Sequence, residues 1–279
     1  MRLLVLTDIH SNMPALEAVL ASPAAQGCDR VYSLGDHTGF GPQPRQAHER
    51  LVSLGAVMLL GNHDARLMQL DSPALQSRNW ALLHWMGREM RGYRMDQLPM
   101  EDVAGPIMMT HAVPGCVDRL IWPEEAPAIL DQLPEGVKLM LSGHNHTPWD
   151  VTHNGRRSVN PGSVGMQEGG TGAMAAFAVV DTDDLTVTRH EVPYDISAVR
   201  AAYLASGSTN AAPIFTRIGF HTMETGRTMT LPFMQHAKAT AARTGLAFTD
   251  DALWLEADRS FAWPDPVPSE QYWKELAKA

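Results

Sequence analysis

Leu3-Leu4-Val5-Leu6-Thr7-Asp8-Ile9-His10 decides how this chain is read. Four consecutive apolar residues bounded by polar ones form a run too short for a helix and right for a buried strand. A carboxylate and an imidazole follow, one residue apart. On an extended backbone, side chains two residues apart project to the same side, so the spacing predicts Asp8 and His10 on one face. A hard oxygen and a nitrogen together suit a divalent metal ion. Asp-x-His alone is common, but the arrangement recurs. Val31-Tyr32-Ser33-Leu34-Gly35 leads to Asp36, and Val57-Met58-Leu59-Leu60-Gly61 leads to Asn62-His63-Asp64. Ile107-Met108-Met109-Thr110 leads to His111, and Leu139-Met140-Leu141-Ser142-Gly143 leads to His144-Asn145-His146. Five apolar runs thus end in metal-capable residues, and in open α/β sheets ligands bind at the carboxyl ends of strands.

Working outward, Pro14 suits a first helical turn and Leu16, Val19 and Leu20 make an apolar helical face. A second helix is predicted from Gln43 to Leu54, which makes the first third a βαβαβ block. The stretch from Ala65 to Leu98 is predicted helical, with Leu67, Leu70, Trp80, Leu83, Met86 and Met90 as a core face. Asn154-Gly155 signals a two-residue hairpin. Asn160-Pro161-Gly162-Ser163 is read as a turn, and 173–192 as a further hairpin. Past Pro193, Ile196, Val199 and Tyr203 make a short helix. Residues 210–228 show no clean period, and Pro232 to Arg243 reads as a helix stopped by Gly245. Pro264-Asp265-Pro266-Val267-Pro268 is expected to be an extended spacer before a last helix capped by Ser269 and carrying Trp273 and Leu276. Trp254, Trp263 and Trp273 imply burial on the core or against a second subunit. The division expected is a core over 1–195 and a helical or irregular extension over 196–279.

Hydrophobic content of 44% and charged content of 19% describe a folded globular chain rather than a disordered one. A net charge of −9 disfavours a protein built to grip long nucleic acid, but not one acting on small phosphates beneath bound cations. Two cysteines without a Cys-x-x-Cys pair point to reduced thiols. Asp8 interrupts the first apolar run early, and no run reaches the ~20 residues of a membrane span. A cytoplasmic protein without a membrane segment is expected, and a homo-oligomer is compatible with the sequence.

Asp8-Ile9-His10, Gly35-Asp36, Gly61-Asn62-His63-Asp64, His111 and Gly143-His144-Asn145-His146 together resemble the ordered motifs of the calcineurin-like metallophosphoesterase superfamily. Gly39-Phe40-Gly41-Pro42 and Asn160-Pro161-Gly162-Ser163-Val164-Gly165 are similar to its small bacterial and archaeal predicted phosphodiesterases. The resemblance implies an α/β fold, a four-layer α/β/β/α sandwich of two mixed sheets, here with a C-terminal extension. It also implies two divalent ions, Mn²⁺ favoured over Fe²⁺, Zn²⁺ or Ni²⁺. Carried over by position, Asp8, His10, Asp36 and His146 would hold one ion, and Asp36, Asn62, His111 and His144 the other. Asp36 would bridge them, and a metal-bridging hydroxide would attack the phosphorus. His63, the family's imidazole that is not a ligand, would give the departing oxygen its proton. Asp64 either fixes the tautomer of His63 or caps the helix after it. Gly35, Gly61 and Gly143 are read as allowing tight turns, and His37 as structural although it follows Asp36. Arg45, Arg66, Arg119, Arg156 and Arg157, and the backbone N–H groups of 160–165, are the candidates for phosphate contact.

The expected substrate is a small phosphoester, a phosphodiester of a nucleotide or similar organic phosphate. The alternatives are a nucleotide or dinucleoside polyphosphate phosphatase and a protein phosphatase. Both are weakened because Gly39-Phe40-Gly41 stands where those enzymes resemble one another in carrying an arginine. Met166-Gln167-Glu168 likewise replaces an arginine found in the small phosphodiesterase subgroup. The rival from another class is a non-catalytic scaffold, which the retention of His63 disfavours.

Overall fold

A computed structural model describes residues 1–169 and 172–263. The chain begins β1 (Arg2–Leu6), α1 (Met13–Ala21), β2 (Arg30–Ser33), α2 (Pro44–Ser53), β3 (Val57–Met58), α3 (Asn62–Arg66) and α4 (Ala81–Glu89). Then follow β4 (Glu101–Ala104), β5 (Ile107–Thr110), α5 (Ala126–Leu130), β6 (Leu139–Leu141), β7 (Trp149–His153), β8 (Arg156–Asn160), β9 (Met174–Asp181) and β10 (Val187–Pro193). Helices α6 (Ile196–Ser206), α7 (Ser208–Ala211), α8 (Pro213–Thr225), α9 (Thr230–Thr244) and α10 (Asp251–Ser260) complete it.

Two five-stranded mixed sheets result, in the orders β10-β9-β1-β2-β3 and β4-β5-β6-β8-β7. β1, β2 and β3 run parallel, as do β5, β6 and β8, while β9 and β10 are antiparallel additions. The period of two sorts β1 between two cores. Leu3 and Val5 meet Met109, Leu141 and Val159 between the sheets, whereas Leu4 and Leu6 pack with Leu16 and Val19 of α1. On the far side, Met108 and Met140 pack against Ile129 and Leu130 of α5. This is the four-layer α/β/β/α sandwich.

Local chemistry sets the element ends. Asn12 Oδ1 accepts from Ala15 N and caps α1, with Pro14 in its first turn. Asn154 (φ 49°) and Gly155 (φ 72°) both lie in the left-handed region, as a type I′ turn between β7 and β8 demands.

Two segments differ from expectation. Residues 65–98 are not one helical run: short 3₁₀ turns at Leu67–Gln69, Pro73–Leu75 and Arg78–Trp80 precede α4. Pro73 lacks an N–H and pushes Ser72 to extended backbone (ψ 131°), which breaks the ladder. Residues 210–228 contain a thirteen-residue helix, α8. It is buried on most sides, from Ile214 through Met223, and its buried positions include Thr216, His221 and Thr222, so polar residues interrupt the apolar pattern. Its threonines bond back along the helix: Thr216 Oγ1 to Ala212 O, and Thr222 Oγ1 to Ile218 O. The helix expected at Pro232–Arg243 is α9, ended by Gly245 at φ 73°. The expected spacer 264–268 and the helix bearing Trp273 and Leu276 lie outside the described residues.

Helices α6 to α10 pack on the sandwich of their own chain. The Tyr203 hydroxyl on α6 donates to the Phe40 carbonyl (2.8 Å), and a Cβ on Gly219 of α8 would meet Phe40 Cβ at 2.7 Å. Trp254 is fully buried beside Phe215, while Trp263 stacks on Phe233 and under the Arg217 guanidinium at 3.9 Å. Among the described residues no helix is long and apolar enough to cross a membrane. Tyr203→Phe strands the Phe40 carbonyl and is expected to lower unfolding stability by about 1–2 kcal/mol. A urea midpoint that falls at constant m value checks this; an unchanged midpoint removes the bond from the stabilising contacts.

Candidate metal centre

Side chains from five strand ends converge where the sheets meet. The five apolar runs contribute Asp8 and His10 after β1, Asp36 after β2, Asn62 after β3, His111 after β5, and His144 and His146 after β6. His10 Nε2 lies 3.9 Å from Asp8 Oδ1 and 3.8 Å from Asp36 Oδ2. His146 Nε2 lies 3.5 Å from Asp8 Oδ1 and 2.8 Å from His10 Nε2. His111 Nε2 lies 3.5 Å from Asp36 Oδ2. Asp8–His10–His146 and Asp36–His111–His144 are each groups whose donor atoms lie within 4.8 Å of one another. A third such group, His10–Asp36–His63, joins them.

The pleat does not put Asp8 and His10 together. β1 ends at Leu6, and Asp8 (φ 53°), His10 (φ 48°) and Ser11 (φ 59°) are left-handed. So are Asp36 (51°), His144 (73°) and His146 (56°). Each such non-glycine residue costs on the order of 1–2 kcal/mol, and the concentration here marks a built site. Hydrogen bonds hold it: Asp8 N donates to Gly35 O, His10 N to Asp36 O, and Gly143 N to His111 O. The glycines are needed for close approach. Gly61 and Gly143 keep negative φ, but a Cβ on Gly61 would sit 2.1 Å from Asp36 Oδ1, and one on Gly143 1.9 Å from Thr7 Oγ1.

The donor atoms fit cations. One Asn62 amide atom faces His144 Nδ1 (3.1 Å), His111 Nε2 (3.1 Å) and Asp36 Oδ2 (3.0 Å). With a cation among them that atom is the oxygen; without one it is the nitrogen, and the oxygen accepts from Arg66 Nη1 at 2.7 Å. Asp8 Oδ1, the oxygen that faces His10 Nε2 and His146 Nε2, is buried without a hydrogen-bond partner among the described residues. Aspartate, histidine and asparagine without thiolate suit first-row divalent ions.

Electrostatics point the same way. Burial would raise the Asp8 carboxyl, but the imidazoles of His146 and His111 hold it well below the usual range. Burial would raise Asp36 too, and His111 and His63 hold it well below. Burial disfavours charge on His111, yet Asp36 lifts it to about 9; His146 is likewise lifted, by Asp8 and Glu168, to about 10. Burial, then the charge of His111, lowers His144 to about 4, and burial lowers His10 and His63.

His63 stands at the rim, its ring centroid 5.0 Å from His10 and 5.3 Å from Phe40. Asp64 does not serve it. Its fully buried carboxylate accepts from Gly61 N (3.1 Å), Thr38 N (3.0 Å), Thr38 Oγ1 (2.8 Å) and His37 N (3.3 Å). Asp64 is therefore not the cap before Ala65: it is the third residue of α3, and its carboxylate reaches back to Gly61 N from inside the helix. Its other bonds tie the β2 and β3 loops together, with none of them to the His63 ring. His37, fully buried 3.4 Å from Asp64, belongs to the same tie. The 160–165 backbone is also committed elsewhere: Val164 N donates to Thr7 O and Gly165 N to Asp8 O. Four of the five candidate arginines are engaged away from the centre: Arg45 with Glu89 O, Arg119 with Glu125, Arg156 with Leu130 O, and Arg157 with Asp150. Arg66 alone of the five stands beside it.

Several supporting residues carry no signal in the sequence. Thr7 Oγ1 donates to Asp8 Oδ2 (2.6 Å), Ser163 Oγ to Asp8 O (2.8 Å), and Glu168 Oε1 lies 3.6 Å from His146 Nδ1. His111 Nδ1 bonds Leu34 O at 3.0 Å. Such partners orient imidazole ligands. Glu168 comes from the loop after β8, and its contact with His146 spans the whole β7–β8 hairpin, which no local spacing reveals.

Two mixed sheets with carboxylates and imidazoles at their strand ends are the architecture of a metal-dependent phosphoester hydrolase. Residues 1–185 match the calcineurin-like phosphoesterase superfamily domain, and the chain belongs to that superfamily. It is 27% identical over 197 residues to phosphodiesterase YfcE of Escherichia coli strain K12, covering 67% of this chain and 91% of that one. An uncharacterised protein of Methanocaldococcus jannaschii is 27% identical over 215 residues, 69% of this chain and 87% of its own. A crystal structure of a metallophosphoesterase from Sphaerobacter thermophilus superposes with a TM-score of 0.67 at 25% identity, covering 80% of this chain and 100% of that one. The chain is thus a phosphoester hydrolase of a metal-dependent family, akin to small bacterial and archaeal phosphoesterases.

The raised histidines set a pH dependence. Without metal, folded His111 and His146 keep protons that the unfolded chain releases near 6.5, so their stabilisation is complete below about 6.5 and lost as pH rises through about 9 and 10. Metal must displace those protons, so its affinity is expected to climb over the same interval. Melting in chelator and metal titration at matched pH values check both; an affinity flat from pH 6.5 to 9 contradicts the assignment. Gly143→Ala is expected to cost about 1–3 kcal/mol by overpacking and to lose bound metal. Metal analysis showing a full complement in that variant would refute the close-approach argument.

Proposed function

We propose that the protein hydrolyses phosphodiester bonds of small nucleotides or similar organic phosphates in the cytoplasm, using two divalent ions, Mn²⁺ by preference. One observation carries the reading. Asp36 Oδ1 is pinned by His63 N at 2.8 Å, which leaves Oδ2 facing both His10 and His111. A single carboxylate oxygen shared between two donor groups is what a two-metal centre requires. Asp8, His10, Asp36 and His146 would hold one ion; Asp36, Asn62, His111 and His144 the other. When bound, the pair would neutralise the phosphate and lower the pKa of water far enough to supply a nucleophile at neutral pH.

The remaining steps belong to the chain. Thr7, Ser163 and Gly165 fix Asp8, while Leu34 O and Glu168 orient the rings of His111 and His146. His63, outside both ligand sets yet at their rim, would donate a proton to the departing oxygen as the imidazolium and be left as neutral imidazole. Arg66 is the guanidinium beside this rim and is itself paired with Asp118 at 3.1 Å. That leaves little to balance a polyphosphate chain and favours a diester.

His63→Ala is expected to slow hydrolysis of alkyl esters by about 10²–10⁴-fold. A nitrophenyl ester, whose leaving group needs no proton, should lose far less. Metal content should stay at the wild-type level. Equal losses on both esters would take His63 out of the proton-transfer step.

A further inference from the structure

A cleft of about 240 Å³ opens beside His63. Its lining includes His63, Phe40, Arg66, Trp80, Leu83 and Met86 from the first part of the chain. Phe215 of α8 and Thr230 and Met234 of α9 line it as well. The carboxylates of Asp8 and Asp36 and the rings of His111, His144 and His146 are not part of its lining. The cleft therefore meets the reaction centre on the side of the proton donor.

We propose that this cleft receives the departing alcohol of the ester, and that this alcohol carries a flat aromatic or heteroaromatic ring. The inference rests on the reading of His63 as the proton donor to the departing oxygen. A group bonded to the oxygen that His63 protonates has to lie where His63 faces, and the cleft is that space. Its lining selects the class of group. Three aromatic residues, Phe40, Trp80 and Phe215, stand among two thioethers and two leucines, and Asn79 and Thr230 supply polar atoms. Such a surface favours a ring that stacks and makes few polar contacts over a sugar or polyol. The walls are also fixed. Phe40 is tied by Tyr203 through its carbonyl, and Gly39 N meets Met86 Sδ at 3.1 Å. Phe215 is locked edge-on against Phe233 and tilted against Trp254.

The α8 and α9 part of the lining comes from beyond the residues the superfamily match covers, which end at 185. Helices α8 and α9 thereby determine which alcohol leaves. Sequence spacing points the other way, marking Trp80 and Met86 as core. Met86 does pack in a core cluster, Trp80 is only half-buried, and both line the cleft.

The test has a binding arm and a kinetic arm. Metal-free full-length protein is titrated with 2-naphthol, adenosine and cyclohexanol, followed by calorimetry. Saturable binding of 2-naphthol or adenosine, with none of cyclohexanol, is expected, and whichever binds more tightly separates a phenolic source of the ring from a nucleoside. Phe215→Ala should weaken that binding about ten-fold. Met234→Trp, which fills the cleft rather than emptying it, should do the same, and both variants are checked for wild-type melting. In metal-loaded enzyme the bound alcohol should compete with methyl 4-nitrophenyl phosphate, and its inhibition constant should rise in both variants. Turnover of that ester with no ring binding, or with binding that is not competitive, overturns the cleft assignment while leaving the hydrolase intact. Ring binding with no hydrolysis under any metal overturns the hydrolase reading and, with it, the departing-alcohol role.

Discussion

Two carboxylates buried within one small cup set the terms for everything around them. Asp8 and Asp36 are out of contact with water, and each raises the cost of charging the other. Buried like charges persist only where positive charge is supplied at close range. In this chain the supply is a ring of imidazoles, two of them pushed to hold protons well above their ordinary range. A divalent ion placed between the same atoms provides that charge without protons. The site is thus a place where protons and metal compete, and the competition follows from burial and proximity.

Holding the carboxylates there strains the backbone, and the structure concentrates the strain where the ligands sit. Left-handed φ values at Asp8, His10, Asp36, His144 and His146 turn each strand end back into the cup. Hydrogen bonds between neighbouring strand ends offset the cost. Val164 N to Thr7 O and Gly165 N to Asp8 O bind the loop after β8 to the end of β1. Asp64 ties the loop after β2 to the start of α3, and Asn160 joins Gly143 O to Asn145 Oδ1. Parallel strands make this possible, since all five carboxyl ends reach one edge. The two sheets share a hydrophobic seam, so the two halves of the donor set cannot drift apart without opening it.

What is legible in the residues alone follows the range of the forces. Short apolar runs followed by polar donors reveal the strands and locate the cup, because both signals are local. The Asn154-Gly155 turn is legible for the same reason. The way Asp8 and His10 come together is not: alternation along a strand would serve equally well on paper, and only backbone angles distinguish it from a left-handed turn. Helix α8 is invisible because the buried Thr216, His221 and Thr222 interrupt its apolar pattern. Glu168 reaches His146 from the far side of β7 and β8, where neither spacing nor composition carries a signal. Asp64 shows the limit in the other direction, since adjacency to His63 suggests a partnership that the hydrogen bonds give to Gly61, Thr38 and His37.

The helices after β10 reach the neighbourhood of the centre through Phe40. Tyr203 fixes the carbonyl of Phe40, and the Phe40 ring lies against both His10 and His63. Gly219 lets α8 approach that same residue closely, and the aromatic cluster of Phe215, Phe233 and Trp254 anchors the far side. A chain of contacts therefore runs from the interior of the extension to the ring beside His63. The clustered carboxylates and imidazoles come entirely from the sandwich, whereas the cleft beside His63 is lined from both parts of the sequence, Phe40, Trp80 and Met86 from the first and Phe215, Thr230 and Met234 from the extension.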